Sequence, residues 1–203
     1  EVSTPAASRY AFQLQEEVAG TFYTLTLNVD ETAGSVIGNN GQYAEGETAT
    51  LTATANRGYK FASWTVGEET ITENPLTITV NANTTVTANF EALAAYTITA
   101  AANDATMGTV EGAGTYYAGE TVTLKAVAND GHHFVNWSNE ATESTITFEA
   151  AEDATLTANF AKNIYTLTVN VNDSEKGSVN KATATYEFGT EVTLTAPPAA
   201  GCE

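Results

Sequence analysis

One pattern of residues occurs three times along the chain, and a chain built this way folds as a row of similar units that each close a core of their own. The copies open at Tyr23, Tyr96 and Tyr165, 73 and 69 residues apart. Each begins with an alternating run: Tyr23-Thr-Leu-Thr-Leu-Asn-Val29, Tyr96-Thr-Ile-Thr-Ala100 and Tyr165-Thr-Leu-Thr-Val-Asn-Val171. Apolar and polar residues alternating at period two define a strand with one buried face. A turn rich in Asn, Asp and Gly follows and ends at Gly34, Gly108 and Gly177, each succeeded by Ser or Thr and then Val. Glycine is expected there for the positive φ of a tight hairpin.

Deeper in each copy the spacing is stricter. Tyr43, Tyr116 and Tyr186 stand three residues before a glycine (Gly46, Gly119, Gly189) and fifteen before a second one (Gly58, Gly131, Gly201). Between the two glycines lies a threonine-rich alternating run, Thr48–Ala53, Thr121–Ala126 and Glu191–Ala196. Two copies continue as Tyr59-Lys-Phe-Ala-Ser-Trp64 and His132-His-Phe-Val-Asn-Trp137, so the tryptophan falls 21 residues after the tyrosine in both. They close with Leu76–Val80 and Val86–Phe90, and with Thr145–Phe148 and Leu156–Phe160. No segment carries a 3.6-residue apolar period, and β-branched threonine suits a half-exposed pleated surface.

The expected fold is therefore all-β: a tandem array of small antiparallel β-sandwich-like domains of about six short strands each, without significant helix. The expected structural signature is Tyr43, Gly58, Phe61, Trp64, Phe90, Tyr116, Gly131, Phe134, Trp137, Phe160, Tyr186 and Gly201. Its phenylalanines and tryptophans are expected to be buried. Complete repeats are expected over 23–95 and 96–164. Residues 1–22 are expected to hold the last two strands of a preceding partial copy, Tyr10–Leu14 and Val18–Phe22, and 165–203 the first three strands of a truncated one.

Composition narrows the function classes. Seven basic residues against 25 acidic ones leave a net charge of −18, which repels the phosphates of nucleic acid and anionic membrane surfaces. Hydrophobic residues at 42% against 16% charged are too many for a disordered acidic tail. No apolar run approaches the roughly 20 residues of a membrane span, and no secretory leader is visible, so a soluble mature segment is expected. The single cysteine, Cys202, allows no intramolecular disulfide.

Candidate sites each have a simpler structural explanation. His132 and His133 supply two ligands where a metal site needs three or four, and adjacent strand residues point to opposite faces. His132 is expected on the core side in place of Tyr59, and His133 outward like Lys60. The turn residues Asp30, Glu31, Asn103, Asp104, Asn172 and Asp173 could suggest calcium, but no Asp-x-Asp-x-Asp-Gly loop is present, and Asn and Asp favour turns unaided. Glu68, Glu69, Glu152 and Asp153 are expected in solvated loops. No nucleophile, base and orienting group recur together, so no enzyme, metal or cofactor is expected. Trp64 and Trp137 share one register, which marks core residues rather than sugar-stacking platforms. Tyr117 does not recur and is the better candidate for an exposed contact. The sequons at Asn83, Asn136 and Asn172 are of a kind that an Asn- and Thr-rich chain produces by chance. Lys60, Lys125 and Lys176 share no repeat position, against a recurrent isopeptide crosslink.

The recurring Tyr-x-x-Gly, threonine-rich strand, Gly-Tyr-x-Phe-x-x-Trp and Thr-Ala-Asn-Phe elements resemble the divergent InlB B-repeat, or Listeria–Bacteroides-type repeat, family. The resemblance covers Tyr23 to Phe160 and part of the chain beyond. It departs mildly from a uniform repeat, with Ala49 where the other copies have Val122 and Val192, and His132 in place of an aromatic ring. The resemblance implies a segment of a secreted or cell-surface bacterial protein, with the array acting as a stalk, spacer or adhesive piece. The expected function is a non-catalytic structural spacer whose partners are neighbouring repeats of the same or an identical chain. The alternatives are a filament subunit that donates strands between its incomplete end copies, and an adhesive module for a glycan or protein ligand.

Overall fold

The computed structural model describes residues 20–201, which contain strands and turns and no helix. Residues 10–19 and Cys202 lie outside this range, so the strands expected over Tyr10–Leu14 and from Val18 do too. Phe22, expected to end the earlier copy, instead opens the first strand of the next. The described residues divide into two compact units between Ala92 and Leu93.

The first unit contains β1 (Phe22–Val29), β2 (Gly34–Ile37), β3 (Gly41–Ala44), β4 (Glu47–Ala55), β5 (Tyr59–Val66), β6 (Glu69–Ile71), β7 (Leu76–Val80) and β8 (Thr84–Ala92). They form two sheets, one ordered β3-β1-β8-β5-β6 and the other β2-β4-β7. Leu25, Trp64 and Val86 of the first sheet pack against Ala49, Leu51, Ala53, Leu76 and Val80 of the second. The alternation read from the sequence points these residues inward and their threonine neighbours outward. Eight strands replace the six expected, because the turns after β2 and β5 each carry a short extra strand.

The second unit repeats the arrangement with β9 (Ala95–Ala102), β10 (Gly108–Glu111), β11 (Gly114–Tyr117), β12 (Thr121–Ala128), β13 (His132–Trp137), β14 (Thr145–Glu149) and β15 (Ala154–Lys162). Its sheets run β11-β9-β15-β13 and β10-β12-β14, around Ile98, Val122, Leu124, Trp137, Ala158 and Phe160. The segment between Trp137 and β14 is shorter than its counterpart after Trp64 and forms no strand like β6.

The sheets are mixed rather than wholly antiparallel. β1 pairs in parallel with β8, Leu25 opposite Thr84 through Val29 opposite Ala88, and β9 pairs in parallel with β15, Ile98 opposite Ala154 through Ala102 opposite Ala158. A parallel pair needs a long crossover, and here the crossover is the rest of the repeat. The first and last strands thus close each domain.

Among the described residues of the third copy only β16 (Ile164–Leu167) and β17 (Ala184–Glu187) form strands, paired antiparallel, with a separate isolated bridge between Gly177 and Pro198. The run Glu191–Ala196, expected as a strand, is not one. Its counterparts β4 and β12 are each held on both sides, by β2 and β7 and by β10 and β14. Among the described residues the third copy has no counterpart of β7 or β14, and Leu194 is 48% exposed.

Candidate functional site

The first hairpin turn, the most acidic recurring feature, is closed by its own aspartate. Thr32 donates both its backbone N–H and its hydroxyl to Asp30 Oδ1, at 2.9 and 2.7 Å, while the Ala33 and Gly34 amides donate to the Asp30 carbonyl. Thr106 does the same to Asp104, at 2.8 and 2.7 Å. In the third copy the Glu175 amide reaches Asp173 Oδ1 at 3.0 Å and Lys176 pairs with the same carboxylate at 3.1 Å. The Thr32 hydroxyl, then its amide, hold the Asp30 carboxyl below its ordinary value. The Thr106 hydroxyl and amide do so for Asp104, with a smaller contribution from the charge of His132. Hydrogen bonds to the charged form favour it. These oxygens serve the turn, and among the described residues no three His, Cys, Asp or Glu side chains gather as a metal site.

The glycines that end this turn are required for a different reason from the one expected. Gly34, Gly108 and Gly177 do not adopt positive φ. A Cβ on Gly34 would lie 2.3 Å from the Phe90 ring, and one on Gly108 2.5 Å from the Phe160 ring. In the two complete copies the missing side chain makes room for the aromatic ring of the closing strand, whereas a Cβ on Gly177 would meet only the Pro197 carbonyl, at 3.1 Å, and the Pro198 backbone. Positive φ belongs to the two later glycines: Gly46, Gly119 and Gly189 at 81°, 84° and 81°, and Gly58, Gly131 and Gly201 at 88°, 78° and 87°.

Trp64 and Trp137 have no exposed surface. Their indole N–H groups donate to the carbonyls of Glu73 and Glu143, at 3.1 and 3.0 Å, so each is satisfied inside the fold. Neither ring can stack on a sugar. Phe61 lies 5.3 Å from Trp64 and 6.0 Å from Phe90, and Phe134 lies 5.7 Å from Trp137 and 5.8 Å from Phe160. Phe160 is buried, whereas Phe61, Phe90 and Phe134 are half-buried, short of the burial expected. These three pack against the buried cluster without being enclosed by it. Tyr43 is buried and donates to the Asn39 carbonyl, while half-buried Tyr116 donates to that of Gly112. Tyr186 is half-buried and pairs in register with Tyr165 of the neighbouring strand β16. Tyr117 is half-buried as well.

Several residues that hold the repeat together escaped the sequence reading. Asn56 donates to the Glu31 and Thr32 carbonyls, and Asn129 to that of Thr106, tying the end of β4 or β12 to the first turn. Their signal was visible: both stand two residues before the second glycine. Asp153, expected in a solvated loop, accepts the Thr97 amide at 2.7 Å, as Asn83 accepts that of Thr24 at 2.8 Å. In the Thr-Ala-Asn-Phe motif, Asn89 donates to Ser63 and Thr65, and Asn159 to Asn136. These bonds lie beside register shifts in β5 and β13, between Phe61 and Ser63 and between Phe134 and Asn136. The bulges turn Ala62 and Val135 outward, which accounts for the exposure of Val135.

The histidines sit apart from any acid cluster. His132 is half-buried with Nδ1 3.0 Å from the Asp130 carbonyl, and His133 is exposed with Nδ1 2.9 Å from Asn163 Oδ1. Lys60 pairs with Glu91 at 3.0 Å and Lys125 with Glu111 at 3.7 Å. A groove of about 500 Å³ in the second unit is lined by Ala141, Ile146, Phe148 and Leu156. In the first unit Ile71 of β6 packs against the corresponding core. Asn139, Thr147 and Thr155 supply the groove's polar lining.

No curated protein matches the chain at a significant level. The divergent InlB B-repeat domain model matches residues 23–94, 96–164 and 167–203. The first two segments carry the paired Trp and Phe positions, and all three carry the aspartate-closed turn and the positive-φ glycines. The chain belongs to the divergent InlB B-repeat domain family.

Proposed function

We propose that the chain is a non-catalytic spacer array in a secreted or surface-bound bacterial protein. The observation that carries this reading is the parallel pairing of the first and last strands of a repeat. The chain enters at one end of the domain and leaves at the other. From Phe22 it runs seven residues along β1 to Val29, beside Ala88, and then four more along β8 to Ala92. At about 3.3 Å per residue each repeat advances the chain by about 35 Å. The second repeat makes the same advance, from Ala95 to Ala102 beside Ala158 and on to Lys162. An antiparallel pairing of these two strands would return the chain to its starting end.

Membership of a repeat family associated with bacterial surfaces supports the location. The use of recurring polar side chains to close turns and bulges supports the absence of a catalytic role. A spacer is judged by length, so its repeats are interchangeable. The chain would be displayed on bacteria with an epitope at its distal end, and antibody access measured. Deleting residues 96–164 is expected to reduce access, and replacing them with a second copy of 23–95 to restore it. Loss of access that the replacement does not restore would contradict the reading.

A further inference from the structure

We propose that Phe188 and Asn163 form a latch that docks the third copy onto the end of the second repeat, so that the two move as one body. The latch deepens the spacer reading, because a spacer holds its reach only where its joints are stiff. It consists of two backbone hydrogen bonds in relay and a ring seated in a notch. The Asn163 amide donates to the Gly131 carbonyl, and the Phe188 amide donates to the Asn163 carbonyl, each at 2.8 Å. The linker residue is thereby tied to the copy before it and the copy after it.

The notch is Gly131, whose Cβ, if it had one, would lie 2.2 Å from the Phe188 ring. The same ring meets His132 edge-on at 5.6 Å and 74°, and Tyr165 at 6.3 Å. The Asn163 side chain adds a third tie. Its Oδ1 lies 2.9 Å from His133 Nδ1, which must carry the proton because an amide oxygen only accepts, and its Nδ2 donates to the Tyr165 hydroxyl at 3.3 Å. Lys162 faces Glu187 across the same joint at 3.8 Å. Both histidines of the chain are used here, which accounts for the change from Tyr59 and Lys60 at their register.

The latch is a feature of particular residues and not of the repeat alone. Ala94 stands two residues before the opening tyrosine, as Asn163 does, and Ala118 two residues after Tyr116, as Phe188 does after Tyr186. The backbone bond persists there, Ala118 amide to Ala94 carbonyl at 2.8 Å, but alanine supplies neither ring nor amide side chain. Phe188 remains 42% exposed, so truncating it empties no core and its effect is confined to the joint.

Amide hydrogen exchange and ¹⁵N relaxation test the latch in the full 203-residue chain and its Phe188→Ala and Asn163→Ala variants. In the parent, the Asn163 and Phe188 amides should be protected together, and residues 96–162 and 164–187 should share one tumbling time. Phe188→Ala should accelerate both exchange rates by about tenfold, the scale of losing an aromatic contact. The Trp137 amide, bonded to the Ala141 carbonyl, should hold its rate. Asn163→Ala should give a smaller acceleration, since the Phe188 ring still fills the notch at Gly131. Unchanged exchange in Phe188→Ala, equal acceleration at Trp137, or separate tumbling in the parent would each overturn the latch. None of these outcomes alters the distance across a single repeat, on which the spacer reading rests.

Discussion

Gly34 and Phe90 are adjusted to one another at a level that composition does not reveal. An alanine at Gly34 would bring its Cβ within 2.3 Å of the ring and 2.6 Å of the Thr54 carbonyl, and a core overfilled in this way commonly loses about 1–3 kcal/mol. Gly34→Ala is therefore expected to lower the urea midpoint. The double variant Gly34→Ala/Phe90→Leu should recover part of the loss, because the smaller side chain vacates the space. A double variant no better than the single one would show that backbone conformation, and not the ring, selects glycine here. The recurrence of Gly34 and Gly108 made their importance legible in the sequence. The reason was not, because the ring that excludes a side chain is 56 residues away from Gly34 and 52 from Gly108 along the chain and reaches the turn only through the folded sheet.

At the scale of the element, period-two alternation exposed the strands and which side chains face inward, since Leu25, Ile98, Leu51 and Leu124 are all buried as it requires. It did not expose the partners. Alternation is identical for parallel and antiparallel neighbours, so the pairing of β1 with β8 could not be read locally. The run Glu191–Ala196 alternates as well as β4 does, yet forms no strand without a second neighbour. Turn chemistry was more readable, because Asp30 and Asp104 act through groups two and three residues away. Its pH dependence follows from the lowered carboxyls. A carboxyl depressed by folding contributes stability above its ordinary value near 3.8, and that contribution is lost as pH falls through the folded value. Thermal melts from pH 7 to 2 should show the parent losing its advantage over Asp30→Asn/Asp104→Asn across the acid end of that range. A gap constant down to pH 2 would remove the aspartates from the account.

For the molecule as a whole, the central claim is that each repeat carries the chain from one end of a closed β domain to the other. Spin labels on cysteines introduced at Phe22 and Ala92, or at Ala95 and Lys162, with Cys202 replaced by serine, measure that passage by double electron–electron resonance. All four positions but Phe22 are polar or small, and all four are exposed, so labelling leaves both cores intact. The account predicts a distance of about 35 Å within each repeat, from a strand rise of about 3.3 Å per residue. Label pairs close together, within about 15 Å and so only a few residues of strand rise apart, would place entry and exit at the same end and contradict it.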